Sequence, residues 1–136
     1  MLKIQYANDA DYDYIKEHDH HVLESLIARK IKEHEIFIIR DQQNVNMGWL
    51  RYGYFWDSIP FLNMIWLDEQ YRGKGAGKEA VLFWEQRMKE RGSGKVMTST
   101  LANEQAQHFY RKLGYKDSGC LLLENEPLEI LLMKSI

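Results

Sequence analysis

The chain has 136 residues, 45% of them hydrophobic and 28% charged, which supplies one core and excludes collagen-like and disordered classes. Its 18 Lys and Arg against 20 Asp and Glu give a net charge of −2, so the basic footprint of a nucleic-acid binder is missing. The single cysteine, Cys120, rules out an internal disulfide, and no apolar run approaches the roughly 20 residues of a membrane span, so one soluble, cytoplasmic domain over residues 1–136 is expected.

Leu2 to Ala7 alternates apolar and polar residues and reads as a first strand. Tyr14, Ile15, Val22, Leu23, Leu26, Ile27 and Ile31 recur at helical spacing, which predicts two short helices between Asn8 and His34, broken near Glu17 to His20. Glu35 to Arg40 and Val45 to Trp56 are β-rich runs joined by the turn residues Asp41 to Asn46, which predicts a hairpin. Phe61 to Leu67 is almost continuously apolar, the pattern of a strand covered on both faces, and leads through a glycine cluster into an amphipathic helix from Gly75 to Arg91. A strand from Lys95 to Thr100, a helix from Asn103 to Leu113 stopped by Gly114, and strands near Gly119 to Leu123 and Leu128 to Lys134 complete a mixed α/β pattern.

Three of the nine glycines, Gly73, Gly75 and Gly77, fall within Tyr71-Arg72-Gly73-Lys74-Gly75-Ala76-Gly77-Lys78, between the apolar strand and the helix. Glycine lets the backbone approach a ligand and adopt positive φ, so successive N–H groups converge where the helix N-terminus adds partial positive charge. Arg72, Lys74 and Lys78 add full charges in a chain that is acidic overall, and the combination suits a phosphate or pyrophosphate. A nucleoside-triphosphate loop is excluded by spacing, because Arg72 stands where its first glycine belongs and Glu79 where its Ser or Thr belongs. A dinucleotide fingerprint fits poorly, since Lys78 occupies the third glycine position and the loop lies past mid-chain. The competing structural reading is a plain strand-to-helix turn with solvated lysines.

Arg72, Gly75 and Gly77 form an Arg-x-x-Gly-x-Gly motif that resembles the acyl-CoA pyrophosphate loop of the GNAT N-acetyltransferase family. Downstream, Asn103-Glu104-Gln105-Ala106-Gln107-His108-Phe109-Tyr110-Arg111-Lys112-Leu113-Gly114-Tyr115 resembles that family's Asn-x-x-Ala-x-x-x-Tyr-x-Lys-x-Gly-aromatic helix at every fixed position. The specific resemblance runs from Phe61 to Tyr115; the N-terminal part matches only in the order of strands and helices. It implies a mixed α/β domain with a mostly antiparallel central sheet of about seven strands, flanking helices and a splay between the fourth and fifth strands that admits a pantetheine arm. It further implies acetyl-CoA as co-substrate, no metal, and transfer of the acetyl group to a primary amine of a small molecule or peptide by direct attack on the thioester. Arg72, Gly73, Lys74, Gly75, Ala76, Gly77 and Lys78 would then bind the pyrophosphate, and backbone groups near Trp66 and Leu67 would line the slot. Leu67 is the candidate position whose main chain polarises the thioester carbonyl and stabilises the oxyanion. A homodimer is kept as an option, with no nucleic-acid or membrane partner.

Transfer to an amine poses two proton problems, because the ammonium must lose a proton and the departing thiolate must gain one. Tyr110 is the candidate acid. Asn103, seven residues earlier on the expected helix, would share its face and contact pantetheine, or else act as an N-cap. No base is assigned: Phe61 to Leu67 carries no carboxylate, and Glu24, Asp57, Asp68, Glu129 or an ordered water all stay open. His18, His20 and His21 could suggest a metal site or a general base, but they lie between helices without ligand spacing and read as a surface cluster. Tyr52-Gly53-Tyr54-Phe55-Trp56-Asp57 either fills a core or forms an aromatic mouth for a cationic amine. Cys120, in an apolar setting, reads as a buried, inert thiol. The rival to an enzyme is a CoA-binding sensory or regulatory module that does not transfer.

Overall fold

The computed structural model describes residues 2–136. Strand β1 (Lys3–Tyr6) is followed by a 3-10 turn (Asp9–Asp11), α1 (Tyr12–His18) and α2 (Glu24–Lys32). Strands β2 (Ile36–Arg40), β3 (Asn46–Phe55) and β4 (Ile59–Leu67) come next, then a second 3-10 turn (Glu69–Tyr71) and α3 (Ala76–Glu90). The chain ends with β5 (Lys95–Leu101), α4 (Ala106–Lys112), β6 (Lys116–Leu121) and β7 (Glu129–Ser135). The strands form one seven-stranded sheet in the order β1-β2-β3-β4-β5-β7-β6. Its β4–β5 pair is parallel, at Phe61↔Met97 and Leu62↔Thr98, within an otherwise largely antiparallel sheet. This is the mixed α/β, seven-stranded architecture that the sequence pattern and the family resemblance imply.

The described residues divide into two compact units, the first running to Tyr52 and resuming at Met64–Val81, the second comprising Gly53–Asn63 and Leu82–Ile136. In the first unit Ile36, Ile38 and Trp49 pack against Ile15, Ile27 and Ile31 of α1 and α2, with Tyr14 and Trp66 at the margin. Ile39, Met47, Ile65 and Leu67 instead pack with Ala76 and Ala80 of α3. Alternation along β4 sends Trp66 to one cluster and its neighbours Ile65 and Leu67 to the other, as a period of two requires. Met47 and Trp49 lie two apart yet serve different clusters. The reason is a β-bulge: β2 pairs Ile39 with Gly48 and Arg40 with Asn46, leaving Met47 as the extra residue. The link between α1 and α2 is held by a buried ion pair in which Arg51 Nε donates to Asp19 Oδ2 at 2.9 Å. At the other end of α1, Asn8 and Asp11 close a capping box, and Asp11 pairs with Arg40.

In the second unit β7 runs antiparallel between β5 and β6. Glu85 is buried and accepts from Tyr115 Oη at 2.9 Å and from Lys134 Nζ at 2.7 Å, so one carboxylate ties α3, the segment after α4 and β7 together.

Three sequence expectations are corrected. The helix expected from Asn103 begins at Ala106, because the intervening residues form a polar turn: Gln107 Nε2 donates to the carbonyls of Ala102 (2.7 Å) and Glu104 (2.9 Å). Asn103 is therefore neither the N-cap nor on the face of Tyr110, and helix spacing does not relate the two. Cys120 is exposed, since β6 is the sheet's edge strand and all six of its residues are exposed. Only part of β4 is buried; Asn63 is exposed and Met64 to Leu67 are half-buried, so the apolar run is not covered along its whole length.

The Asp19–Arg51 pair yields a stability prediction. Asp19→Ala leaves the Arg51 guanidinium buried without its partner, and we expect a loss of about 3 kcal/mol in urea unfolding, against a small effect for alanine in place of the exposed Asp13.

Candidate functional site

The loop between β4 and α3 is built by short local bonds. Asp68 N–H donates to Met47 O at 2.8 Å, Tyr71 N–H to Asp68 O at 2.9 Å and Arg72 N–H to Glu69 O at 3.1 Å. Gly73 and Gly75 then take φ of +73° and +87°, the left-handed region that glycine enters without Cβ strain. Glu79 N–H donates to Gly75 O at 3.0 Å, the first bond of α3, so the amides of Ala76, Gly77 and Lys78 are the unpaired donors of the helix N-terminus. A Cβ added at Gly73 or Gly75 meets no described heavy atom within 4 Å. The loop thus opens onto free space instead of packing on protein, as a cradle for a ligand must.

Ala76 is buried between β2, β3 and β4, which fixes where those amides point. Arg72, Lys74 and Lys78 are exposed around them. The one acid of the helix's first turn, Glu79, accepts from Leu2 N–H at 3.1 Å and so is directed to the start of β1. Arg72 Nε donates to Leu67 O at 2.8 Å, tying the loop to the end of β4. The structure thereby assembles Leu67 and Arg72 to Lys78 in one place, and the donor set of helix amides and three cations fits a doubly charged pyrophosphate.

The backbone at Trp66 and Leu67 is seated against Gly48, which the sequence reading passed over. A Cβ at Gly48 would overlap the Trp66 carbonyl oxygen and lie 3.0 Å from Leu67 Cα. A lone glycine within a strand pattern was the available signal for this close approach. On its other side the Trp66 ring stacks on Trp49, centroids 4.7 Å apart, and lies 5.1 Å from the His18 ring. Tyr14 Oη and Trp49 Nε1, both on rings packed against His18, are buried without a hydrogen-bond partner, a state that costs on the order of 1–3 kcal/mol each. Burial first, then the charges of Asp68 and Tyr71, push the Tyr14 phenol up to about 12.

The histidines do not behave as one surface cluster: His20 and His21 are exposed, whereas His18 is half-buried. Among the described residues no three His, Cys, Asp or Glu side chains are placed to hold a metal ion. The aromatic run is likewise divided. Tyr52 is core, with its hydroxyl donating to His34 O at 2.9 Å, while Tyr54, Trp56 and Asp57 are exposed around the β3–β4 turn.

In the second unit Tyr110 is 5% exposed, in edge-to-face contact with Phe109 and Tyr115. Burial pushes its phenol up to about 12, opposed only by a hydrogen bond with Thr98, so it carries its proton across the neutral range. Asn103 is exposed in the turn before α4. No helix among the described residues is long and apolar enough to cross a membrane.

Residues 3–115 match the model of the acetyltransferase (GNAT) family. The fold is shared with a GNAT acetyltransferase from Elizabethkingia anophelis with acetyl-CoA bound, at 18% identity and a TM-score of 0.78 over 99% of this chain and 98% of that one. The spermidine/spermine N-acetyltransferase of Vibrio cholerae aligns at 15% identity and 0.80, covering 98% and 92%. The ribosomal-protein-S18-alanine N-acetyltransferase of Escherichia coli aligns at 16% and 0.79, covering 100% and 94%. No curated protein sequence matches the chain significantly. The chain belongs to the GNAT acetyltransferase family.

The two glycine environments separate by experiment. Gly75→Ala, strained only in φ, is expected to lower stability by about 1 kcal/mol, whereas Gly48→Ala, which must displace the Trp66 backbone, is expected to cost about 3 kcal/mol; urea unfolding of both variants checks the order.

Proposed function

We propose that this member of the GNAT acetyltransferase family transfers an acetyl group from acetyl-CoA to a primary amine of a small molecule or peptide by direct attack on the thioester. The observation that carries the proposal is the open cradle of Arg72 to Lys78, where two left-handed glycines, the first amides of α3 and three cations meet. The acetyl-CoA-bound relative supports the donor. The relatives named for a polyamine and for a ribosomal protein's alanine support an amine as acceptor, without choosing between a small molecule and a peptide.

In this reading the amides of Ala76, Gly77 and Lys78 bind pyrophosphate oxygens, with Lys74 and Lys78 adding charge and Arg72 bracing the loop on Leu67. Gly73 and Gly75 keep the approach clear. The main chain at Trp66 and Leu67 lines the pantetheine and polarises the thioester carbonyl, a role independent of side-chain identity. Asn103, from its turn, is the remaining pantetheine contact.

Tyr110 is the proposed acid. A phenol near 12 is about 3.5 units above an ordinary thiol, so complete transfer of its proton to a free thiolate is uphill by about 5 kcal/mol. Tyr110 therefore stabilises the sulfur chiefly by donating a hydrogen bond as negative charge develops there. Its folded-state pKa lies above the ordinary value, so the donor form is complete at neutral pH and is lost only as the pH rises toward 12.

Calorimetric titration with acetyl-CoA tests the cradle: the wild type should bind and Gly75→Glu, which places a carboxylate where the pyrophosphate sits, should not. A wild type that binds neither acetyl-CoA nor CoA overturns the proposal. Tyr110→Phe should keep acetyl-CoA affinity while thioester consumption with an amine falls on the order of 100-fold; normal turnover by that variant overturns the acid assignment.

A further inference from the structure

Resting on the acetyltransferase reading above, we propose that His18 is the general base that takes a proton from the acceptor ammonium. The tautomer follows from one hydrogen bond. His18 Nδ1 lies 2.9 Å from the carbonyl oxygen of Tyr14, and a carbonyl can only accept, so Nδ1 carries the hydrogen and Nε2 of the neutral ring keeps the lone pair. The ring is half-buried, 4.8 Å from the Tyr14 ring and 5.1 Å from the ring of Trp66, a residue of the strand whose backbone is assigned to the thioester. Two orphaned buried polar atoms, Tyr14 Oη and Trp49 Nε1, lie in this cluster. Buried polar groups without partners mark a cluster that a water or a polar ligand completes.

The groups that face the ring come from three elements. On its own helix it meets Tyr14, on β3 Trp49, and on β4 Trp66. Asp19, the next residue, is neutralised by Arg51. Asp68, Tyr71 and Arg40 act on the Tyr14 phenol, and His20 and His21 face solvent. Asp19–Arg51 also anchors the chain immediately after His18, which holds the imidazole in place.

The proton count balances. The ammonium gives one proton to Nε2, which passes it to solvent; the amine lone pair forms the C–N bond, the C–S bond breaks with its electrons going to sulfur, and the second nitrogen proton ends on that sulfur. The products are the amide, CoA thiol and one released proton.

A structural alternative is that His18 merely ties off the C-terminal turn of α1. The test compares wild type with His18→Gln in the full chain, using spermidine and a peptide beginning with alanine as acceptors, with acetyl-CoA binding measured in parallel. The base assignment expects unchanged acetyl-CoA affinity and a kcat/KM lower by roughly 10²–10⁴ near neutral pH. That deficit should shrink about tenfold per pH unit as the amine sheds its own proton. Added imidazole should restore activity to His18→Ala. A deficit independent of pH without imidazole rescue, or no deficit at all, overturns the assignment while leaving the transferase reading intact. A wild type that fails to bind acetyl-CoA instead brings down the reading on which it rests.

Discussion

The close seating of the Trp66–Leu67 backbone on Gly48 is the constraint from which the first unit's site is organised. Because successive β residues point to opposite faces, fixing this one peptide pair commits Trp66 to the α1–α2 cluster and Leu67 to the α3 cluster. The bulge at Met47 makes the seating possible, since it lets Met47 and Trp49 serve different faces on either side of the glycine. The Leu67 carbonyl then receives Arg72, and the Met47 carbonyl receives the Asp68 amide, so the loop inherits its position from the same few atoms.

From that anchor the electrostatics of the loop follow without any net positive charge on the chain. A helix buried at its first residue presents its unpaired amides in a fixed direction, and the neighbouring cations need only be near, not exact. The hydrogen bond from the Leu2 amide directs Glu79, the one acid of the first turn, toward the start of β1. Pre-set dipoles of this kind cost no reorganisation on binding, which is why the backbone, not the lysines, carries the argument.

What was legible in the sequence divides along physical lines. Period-two and helical spacing located the strands and helices, and three glycines with three cations located the loop, because both signals are local. Asn103 was misplaced on a helix since the competing turn depends on Gln107 reaching back to two carbonyls, a side-chain bond that spacing does not reveal. Cys120 looked buried because an apolar run does not show whether its strand lies at the sheet's edge. Gly48 was passed over and His18 was read as part of a surface cluster for one shared reason: each acquires its meaning from a residue far along the chain, Trp66, and only the folded sheet brings them together.

The proton chemistry shows the same dependence on tertiary surroundings. Two tyrosines, Tyr14 and Tyr110, are both pushed up to about 12 by burial, yet they differ in what is left for their hydroxyls to do. Tyr110 has Thr98 beside it, whereas Tyr14 has no partner and stands beside an imidazole whose tautomer is set by its own helix. A phenol held protonated is suited to stabilising developing negative charge and unsuited to removing a proton from an ammonium. The His18 imidazole, with Nδ1 engaged by the Tyr14 carbonyl and Nε2 left over, is the group proposed for that task. Since β4 offers no carboxylate, the task of deprotonation passes to α1, the part of the chain that matched the family only in its order of elements. Chemistry that varies with the acceptor is best carried on such a segment, because it can change without disturbing the glycine-seated backbone proposed to handle the donor.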